Sequence, residues 1–335
     1  MIRELQTVDA DGVQLAVYVS GPPDAPPLIL VHGYPDSALV WEPLRALLDH
    51  RYRVIAYDVR GAGASDAPRS RRAYRLEQLA ADLAAVADAT CGTRPFHLVG
   101  HDWGSIQCWE AVSDTRFAGR IASYTSISGP CLDHASTALR GGKSAAASAT
   151  AGTNTAPRER HGMPQFLKSW YIVFFHLPLL PELVWLLGGA RLWPLWLRLT
   201  ERVRAERDPA QTRNALNGLA LYRTNFVDRL LHPRPRRAVA PVQCIVPLRD
   251  RYVGPELSLG LEPWVGHYPR ETIDAGHWVV LREPDRIAAL IERFVRQHET
   301  MWAANAAPAG AAPGASAAPS GAWPPHDQVR FQMPS

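Results

Sequence analysis

An α/β fold, in which a mostly parallel central sheet flanked by helices carries an inserted helical cap, is predicted for this chain of 335 residues by three observations. Short apolar runs bounded by Gly and Pro alternate with longer stretches of helical period. One sharp turn, LVGHDWGS from Leu98 to Ser105, places glycines two before and two after a central Asp102. The alternation stops near Cys131 and resumes after Pro235, and the Trp- and Leu-rich stretch between them has no strand signal.

The elements follow in order. PLILVHG (27–33) reads as a buried strand, WEPLRALLD as the helix behind it, and RVIAYDVRG (53–61) as a strand ending in a Gly-rich turn. LEQLAADLAAVADAT (76–90) has helical apolar spacing, and FHLVG (96–100) is the strand feeding the sharp turn. IQCWEAVSD is the next helix and IASYTSISG the next strand. Beyond the interruption come strands VQCIVP (242–247) and RETIDAG (270–276), then a closing helix over 283–298. The expected organisation is a core in two parts, 1–130 and 236–300, around a cap at 131–235. The low-complexity runs 141–157 and 301–335 cannot bury enough apolar surface to order themselves and are expected to be flexible.

A hydrophobic content of 47% is ample for a core. The net charge of +4 comes from scattered arginines and short clusters such as RSRRAYR (69–75), with no basic stripe interleaved with aromatics, so no nucleic-acid partner is expected. Cys91, Cys108, Cys131 and Cys244 are far apart and make no ligand spacing, which points to a reduced compartment and to no metal or other cofactor. The N-terminus lacks a signal-peptide pattern, so the expected location is the cytoplasm. The greasiest stretch, 170–199, is interrupted by Pro178, Pro181, Glu182, Arg191 and Pro194 and falls short of the roughly 18 uninterrupted apolar residues of a spanning helix. It reads as a lid, without stable membrane insertion.

Gly100 and Gly104 supply the small positions that a strand-to-helix elbow needs around its central side chain. Amides at such a helix start stabilise negative charge, so Asp102 is expected to remain ionised and nucleophilic. A plain turn with Asp102 as helix cap is the alternative. Asp250 lies just past the strand VQCIVP, and His277 just past RETIDAG. Nucleophile, acid and base thus follow one another in the chain order of the α/β hydrolases. His32 and His101 belong to motifs too, as turn-stabilising groups. The glycine turn in LVHGYPDS aims the Tyr34 amide at the same point as the Trp103 amide, a pair of oxyanion donors.

A carboxylate needs no deprotonation before it attacks, so it can open a saturated carbon and form an ester, which a histidine-activated water then cleaves. Epoxides and carbon–halogen bonds are the candidate substrates. An opening epoxide develops a basic alkoxide that needs a neutral acid such as tyrosine, whereas a halide needs only N–H donors.

The set HGYPDS, DVRGAGASD, GHDWGS, RDRYV and AGHW resembles the soluble epoxide hydrolases of the α/β-hydrolase superfamily, over nearly the whole of residues 1–300. The resemblance implies the α/β-hydrolase fold and two cap tyrosines holding the epoxide oxygen: Tyr171 in YIVFF and Tyr222 in LYRTN. As a bland alternative, either is a core aromatic of a greasy cap. The resemblance is closest to the hydrolase half of bacterial fusions with a short-chain dehydrogenase, through GHDWGSIQCWEAV, SYTSISGPCLDH and YRTNFVDRLLHPRPRR. After Met301 only the Ala/Pro tail follows, with no dinucleotide fingerprint, so no reductase activity is expected. The leading expectation is therefore an epoxide hydrolase, with a haloalkane dehalogenase or a non-catalytic ligand-binding protein as alternatives. Trp170, Trp185, Trp193 and Trp196 suggest an apolar small-molecule epoxide, or else they merely pack the cap.

Overall fold

In the computed structural model, residues 4–140 and 170–299 are described. The low-complexity run expected at 141–157 and the tail at 301–335 lie outside the described residues. Eight strands form one sheet: β1 Glu4–Ala10, β2 Val13–Ser20, β3 Pro27–Val31, β4 Arg53–Tyr57, β5 Phe96–His101, β6 Ile121–Ile127, β7 Val242–Pro247 and β8 Arg270–Ile273. Their spatial order is β1-β2-β4-β3-β5-β6-β7-β8. The pairings from β4 through β8 are parallel, and β1–β2 and β2–β4 are antiparallel.

The first hairpin escaped the periodicity reading above, although it carried a signal. Asp11 and Gly12 both take positive φ (58° and 78°), the turn in which Asp-Gly matches the twist of two antiparallel strands. Several strands stop earlier than the apolar runs that announced them. β3 ends at Val31 and β4 at Tyr57, because His32 and Asp58 turn their side chains to hydrogen-bonding loop backbone. The helix expected from Ile106 begins at Trp103, directly after the elbow.

Helices α1 (Glu42–Leu48), α2 (Leu76–Cys91) and α3 (Trp103–Val112) cover the sheet, and after the last strand α9 (Pro284–His298) closes the chain. Side chains alternate across β3. Ile29 and Val31 join the core under α2 and α3, with Leu79, Leu83 and Trp109; Leu28 and Leu30 join the opposite core under α1 and α9, with Leu44, Ile287 and Ile291. Both faces of the strand are thereby dry, as its unbroken apolar sequence demands.

Between β6 and β7 the described chain is helical: α4 Leu132–Arg140, α5 Trp170–His176, α6 Leu180–Val184, α7 Ala190–Thr200 and the long α8 Gln211–Leu231. Three asparagines anchor α8 to the core, Asn217 by donating to Gly61 O at 2.8 Å. Asn225 accepts from the Leu76 amide at 3.0 Å and donates to Tyr74 O at 2.8 Å, and Asn214 Oδ1 accepts from the Gly63 amide at 2.8 Å. Arg223 then ties α5 and α6 to α8, through Phe175 O at 2.7 Å, Leu177 O at 2.9 Å and Glu182 at 2.5 Å. These contacts set Tyr171 on α5 against Tyr222 on α8.

Candidate active site

β5 runs into α3 through an abrupt turn in which Asp102 has φ 52° and ψ −125°. A non-glycine residue with positive φ is uncommon and strained, so packing must impose it. The close approach is visible at the neighbouring glycines: a Cβ on Gly104 would lie 2.0 Å from Val31 O, and one on Gly100 would lie 2.6 Å from Ser105 Cα. Although Asp102 occupies the N-cap position of α3, its side chain makes no capping hydrogen bond. Its carboxylate is held elsewhere. Oδ2 accepts the Tyr34 amide at 2.8 Å, and Oδ1 lies 3.3 Å from His277 Nε2.

His277 also contacts Asp250, whose Oδ2 is 2.8 Å from Nδ1, while Asp250 Oδ1 accepts the amides of Tyr252 and Val253 at 2.8 and 2.9 Å. Burial alone would raise the Asp250 pKa; the adjacent imidazole and the two amides outweigh it and hold the carboxyl below its ordinary range. Burial likewise works against a charged His277. The carboxylates on its two nitrogens win, and its pKa is raised well above the ordinary histidine value.

Tyr222 is buried against Trp103, with ring centroids 4.8 Å apart, and against Tyr34 at 5.2 Å. Tyr171 stands edge-on to it at 6.0 Å and meets Tyr252 at 5.4 Å, and Tyr252 in turn meets His277 at 5.0 Å. Both Tyr171 and Tyr222 have pKa values raised well above the ordinary phenol value, first by burial and then by the nearby charge of Asp102. They stay protonated at any physiological pH.

Sequence and structural comparisons identify the fold. The family described as "alpha/beta hydrolase fold" matches residues 26–284. The chain belongs to that family. This α/β hydrolase is 32% identical over 291 residues to the probable oxidoreductase EphD of Mycobacterium tuberculosis, covering 85% of this chain and 48% of the relative. It thus spans about half the length of that relative. It is also 32% identical over 248 residues to epoxide hydrolase A of the same organism, covering 74% of this chain and 67% of the relative. A solved epoxide hydrolase from Bacillus megaterium superposes with a TM-score of 0.68 at 20% identity, covering 87% of this chain and 100% of that one, a likeness of fold.

The two other motif histidines of the hydrolase are structural. Burial lowers the pKa of both, that of His101 to about 4. His32 Nε2 accepts the Val59 amide at 2.9 Å, so the ring proton sits on Nδ1, beside Gly33 O. His101 Nε2 donates to the carbonyl of His277 at 2.9 Å and thereby fixes the loop that carries it. Of the four cap tryptophans, Trp185 and Trp193 pack inward 5.5 Å apart, with Trp193 reaching Trp278 at 5.3 Å; Trp170 and Trp196 are largely exposed, and the Trp196 indole bonds to Tyr252. The four do not line one wall.

Three neighbours of the α/β hydrolase's site were not singled out by sequence. Asp36 accepts the Trp278 indole at 2.9 Å, and burial lifts its carboxyl to about 7 against that hydrogen bond. Tyr252 packs on His277. Glu201, buried at the end of α7, presses on Gly276, where a Cβ would fall 1.9 Å from its Oε2. Asp36 and Tyr252 lie inside the motifs HGYPDS and RDRYV, so their position was the available signal. Glu201 had none. Among the described residues no group of His, Cys, Asp or Glu side chains assembles as a metal site, and all four cysteines are free and buried.

Proposed function

We propose that the protein hydrolyses an epoxide to a vicinal diol through a covalent ester on Asp102. The observation that carries this reading is the Asp102 carboxylate: held in a strained turn, unused as a helix cap, with one oxygen on the Tyr34 amide and the other toward His277. In the first step Oδ1 attacks an epoxide carbon, the ring C–O bond breaks, and Tyr171 or Tyr222 gives its proton to the departing oxygen. Oδ2 becomes the ester carbonyl, already placed on the Tyr34 amide, with the Trp103 amide as second donor.

In the second step His277 takes a proton from water, which attacks the Asp102 carbonyl carbon. The oxyanion forms on Oδ2 before those amides; its collapse breaks the bond from the carbonyl carbon to Oδ1, so the diol leaves carrying Oδ1 with a proton from His277, and the water oxygen stays in the Asp102 carboxylate. Esterification removes the Asp102 charge, one of the two anions that keep His277 protonated. The covalent step therefore lowers the imidazole pKa and turns an imidazolium into a base, with Asp250 orienting it. The names of the relatives support the epoxide reading, as do two neutral tyrosines beside the carboxylate. The inward aromatic surface of Trp185, Phe175 and Tyr34 supports an apolar substrate.

The deciding experiment mixes His277→Gln with an aliphatic epoxide or a haloalkane and records the intact mass. A gain equal to the whole epoxide is expected. A gain from the haloalkane alone, lacking the halogen, would replace the reading with a dehalogenase, and no adduct from a broad panel would leave a binding protein.

A further inference from the structure

We propose that the outer face of the helical cap is a docking surface for an anionic lipid bilayer, on which the protein lies without being spanned. The cap helices are apolar on both sides. On α5, Tyr171 and Phe175 face the catalytic residues, while Trp170 and Val173 are 66% and 69% exposed. On α7, Ala190 and Leu197 are buried, while Leu192, Leu195 and Leu199 form a second stripe at helical spacing on the solvent side. Leu179 and Leu187, at the two ends of α6 and its continuation, are 72% and 83% exposed. So many large exposed apolar side chains on three consecutive helices mark an interaction site, since isolated exposed leucines suffice for an ordinary surface.

Charge selects the occupant. Arg191 and Arg198 follow the outer leucine stripe one position before Leu192 and Leu199, and Arg202, Arg204 and Arg207 continue the series. All five are exposed, against one exposed carboxylate between Arg191 and Arg207, Glu206. Glu182, a further acid of the patch, is drawn inward by Arg223 at 2.5 Å. Beside Leu186 and Leu187 an open groove of about 850 Å³ has Arg191 and Arg207 on its wall, a seat for a phosphate next to an apolar floor; Asp208 lines it too, its carboxylate taken up by Ser37 at 2.6 Å, Asn214 at 2.9 Å and the Ala210 amide at 2.7 Å. Apolar stripes flanked by arginines are the pattern of a helix lying in the headgroup region of anionic lipid. A second copy would fit poorly, because a two-fold contact brings the same patch together and opposes arginine to arginine.

A straight spanning helix is not found among the described residues. No single helix among the described residues is long and apolar enough to cross a bilayer, and α5 passes that test only with the segment Leu180–Thr200, from which it is bent by 99°. The inner faces of both cover the Asp102 site, so the cap can lie on a surface and remain closed over the core.

The test is co-sedimentation of the full chain with vesicles of phosphatidylcholine alone or mixed equally with phosphatidylglycerol. Its readout is independent of any catalytic assignment. The wild type is expected to bind the mixed vesicles, less at high salt, and to leave pure phosphatidylcholine largely unbound. Leu187→Asp, Leu192→Asp and Leu199→Asp alter exposed side chains and are expected to keep the fold, checked by circular dichroism. Each lowers partitioning by roughly tenfold, and Arg191→Glu with Arg198→Glu removes the preference for phosphatidylglycerol. The proposal is overturned if the mixed vesicles bind no protein, if the triple Asp variant binds as the wild type does, or if binding ignores lipid charge. It is also overturned if gel filtration shows dimers, abolished by the same substitutions, in a protein that leaves vesicles alone.

Discussion

Gly218 lies in the middle of α8, where sequence reasoning alone recommends alanine. In an exposed helix interior that exchange stabilises by about 1 kcal/mol, because alanine restricts the unfolded chain and favours the helix. The structure reverses the sign. A Cβ at 218 would fall 2.5 Å from Tyr34 Cδ2 and 2.8 Å from Cε2. The Tyr34 ring has no easy retreat, since Phe175, Trp185 and Tyr222 stand edge-on around it at 5.3, 6.2 and 5.2 Å. Overpacking of this kind costs about 1–3 kcal/mol, so Gly218→Ala should be destabilised by about 1 kcal/mol net, a lowering of Tm by roughly 2–4 °C. The chemistry should suffer more than the fold, because the backbone of Tyr34 holds Asp102 Oδ2. A displacement of a few tenths of an ångström is expected to slow both steps by about tenfold. Thermal melting and single-turnover rates measured on one preparation check it. A variant more stable than the parent, with unchanged rates, would refute the reasoning.

Tyr222→Phe and Tyr171→Phe should each slow ester formation by roughly ten- to a hundredfold while leaving ester hydrolysis nearly unchanged, as read by tryptophan-fluorescence stopped flow; a haloalkane substrate should be indifferent to both. Because Asp102 loses its charge on esterification, the decay of the ester should rise with pH through a pKa lower than that of His277 in the free enzyme. A flat profile would remove His277 as the base. The same pKa, raised on folding, predicts that the stability contributed by the charged His277 is complete below its unfolded value of about 6.5. It should fade as pH climbs through the higher folded value, and a melting series in His277→Gln should lose that dependence. Glu110 on α3, buried and held by Arg234 at 2.9 Å and Arg236 at 2.8 Å, ties the segment after α8 to the helix that follows Asp102. Glu110→Gln should cost about 1 kcal/mol in urea unfolding, since Arg234 and Arg236 are partly exposed and Arg234 keeps Glu77 as a partner at 2.9 Å.

Much of the site was legible because its parts are local. The elbow is a property of consecutive residues: Gly100 and Gly104 are required where the turn brings Val31 O and Ser105 against them, and Asp102 sits between them at φ 52°. The strands that deliver Asp250 and His277 were readable from apolar runs with period and punctuation. The Asp11–Gly12 hairpin was equally local, and the cue lay in the dipeptide.

Tertiary structure alone decided what meets across the chain. Glu201 leaves the cap to press on Gly276, and the Tyr34 ring forbids a side chain at 218. Neither of these has a sequence signature, because hydropathy and turn propensity describe what each residue does to its own neighbours. The two faces of the cap make the same point. Periodicity showed that α5 and α7 are greasy, but only packing determined which leucines and tryptophans turn toward the core and which are left to the solvent. A short apolar helix can satisfy the core with one stripe, and the folded core has room for only that one.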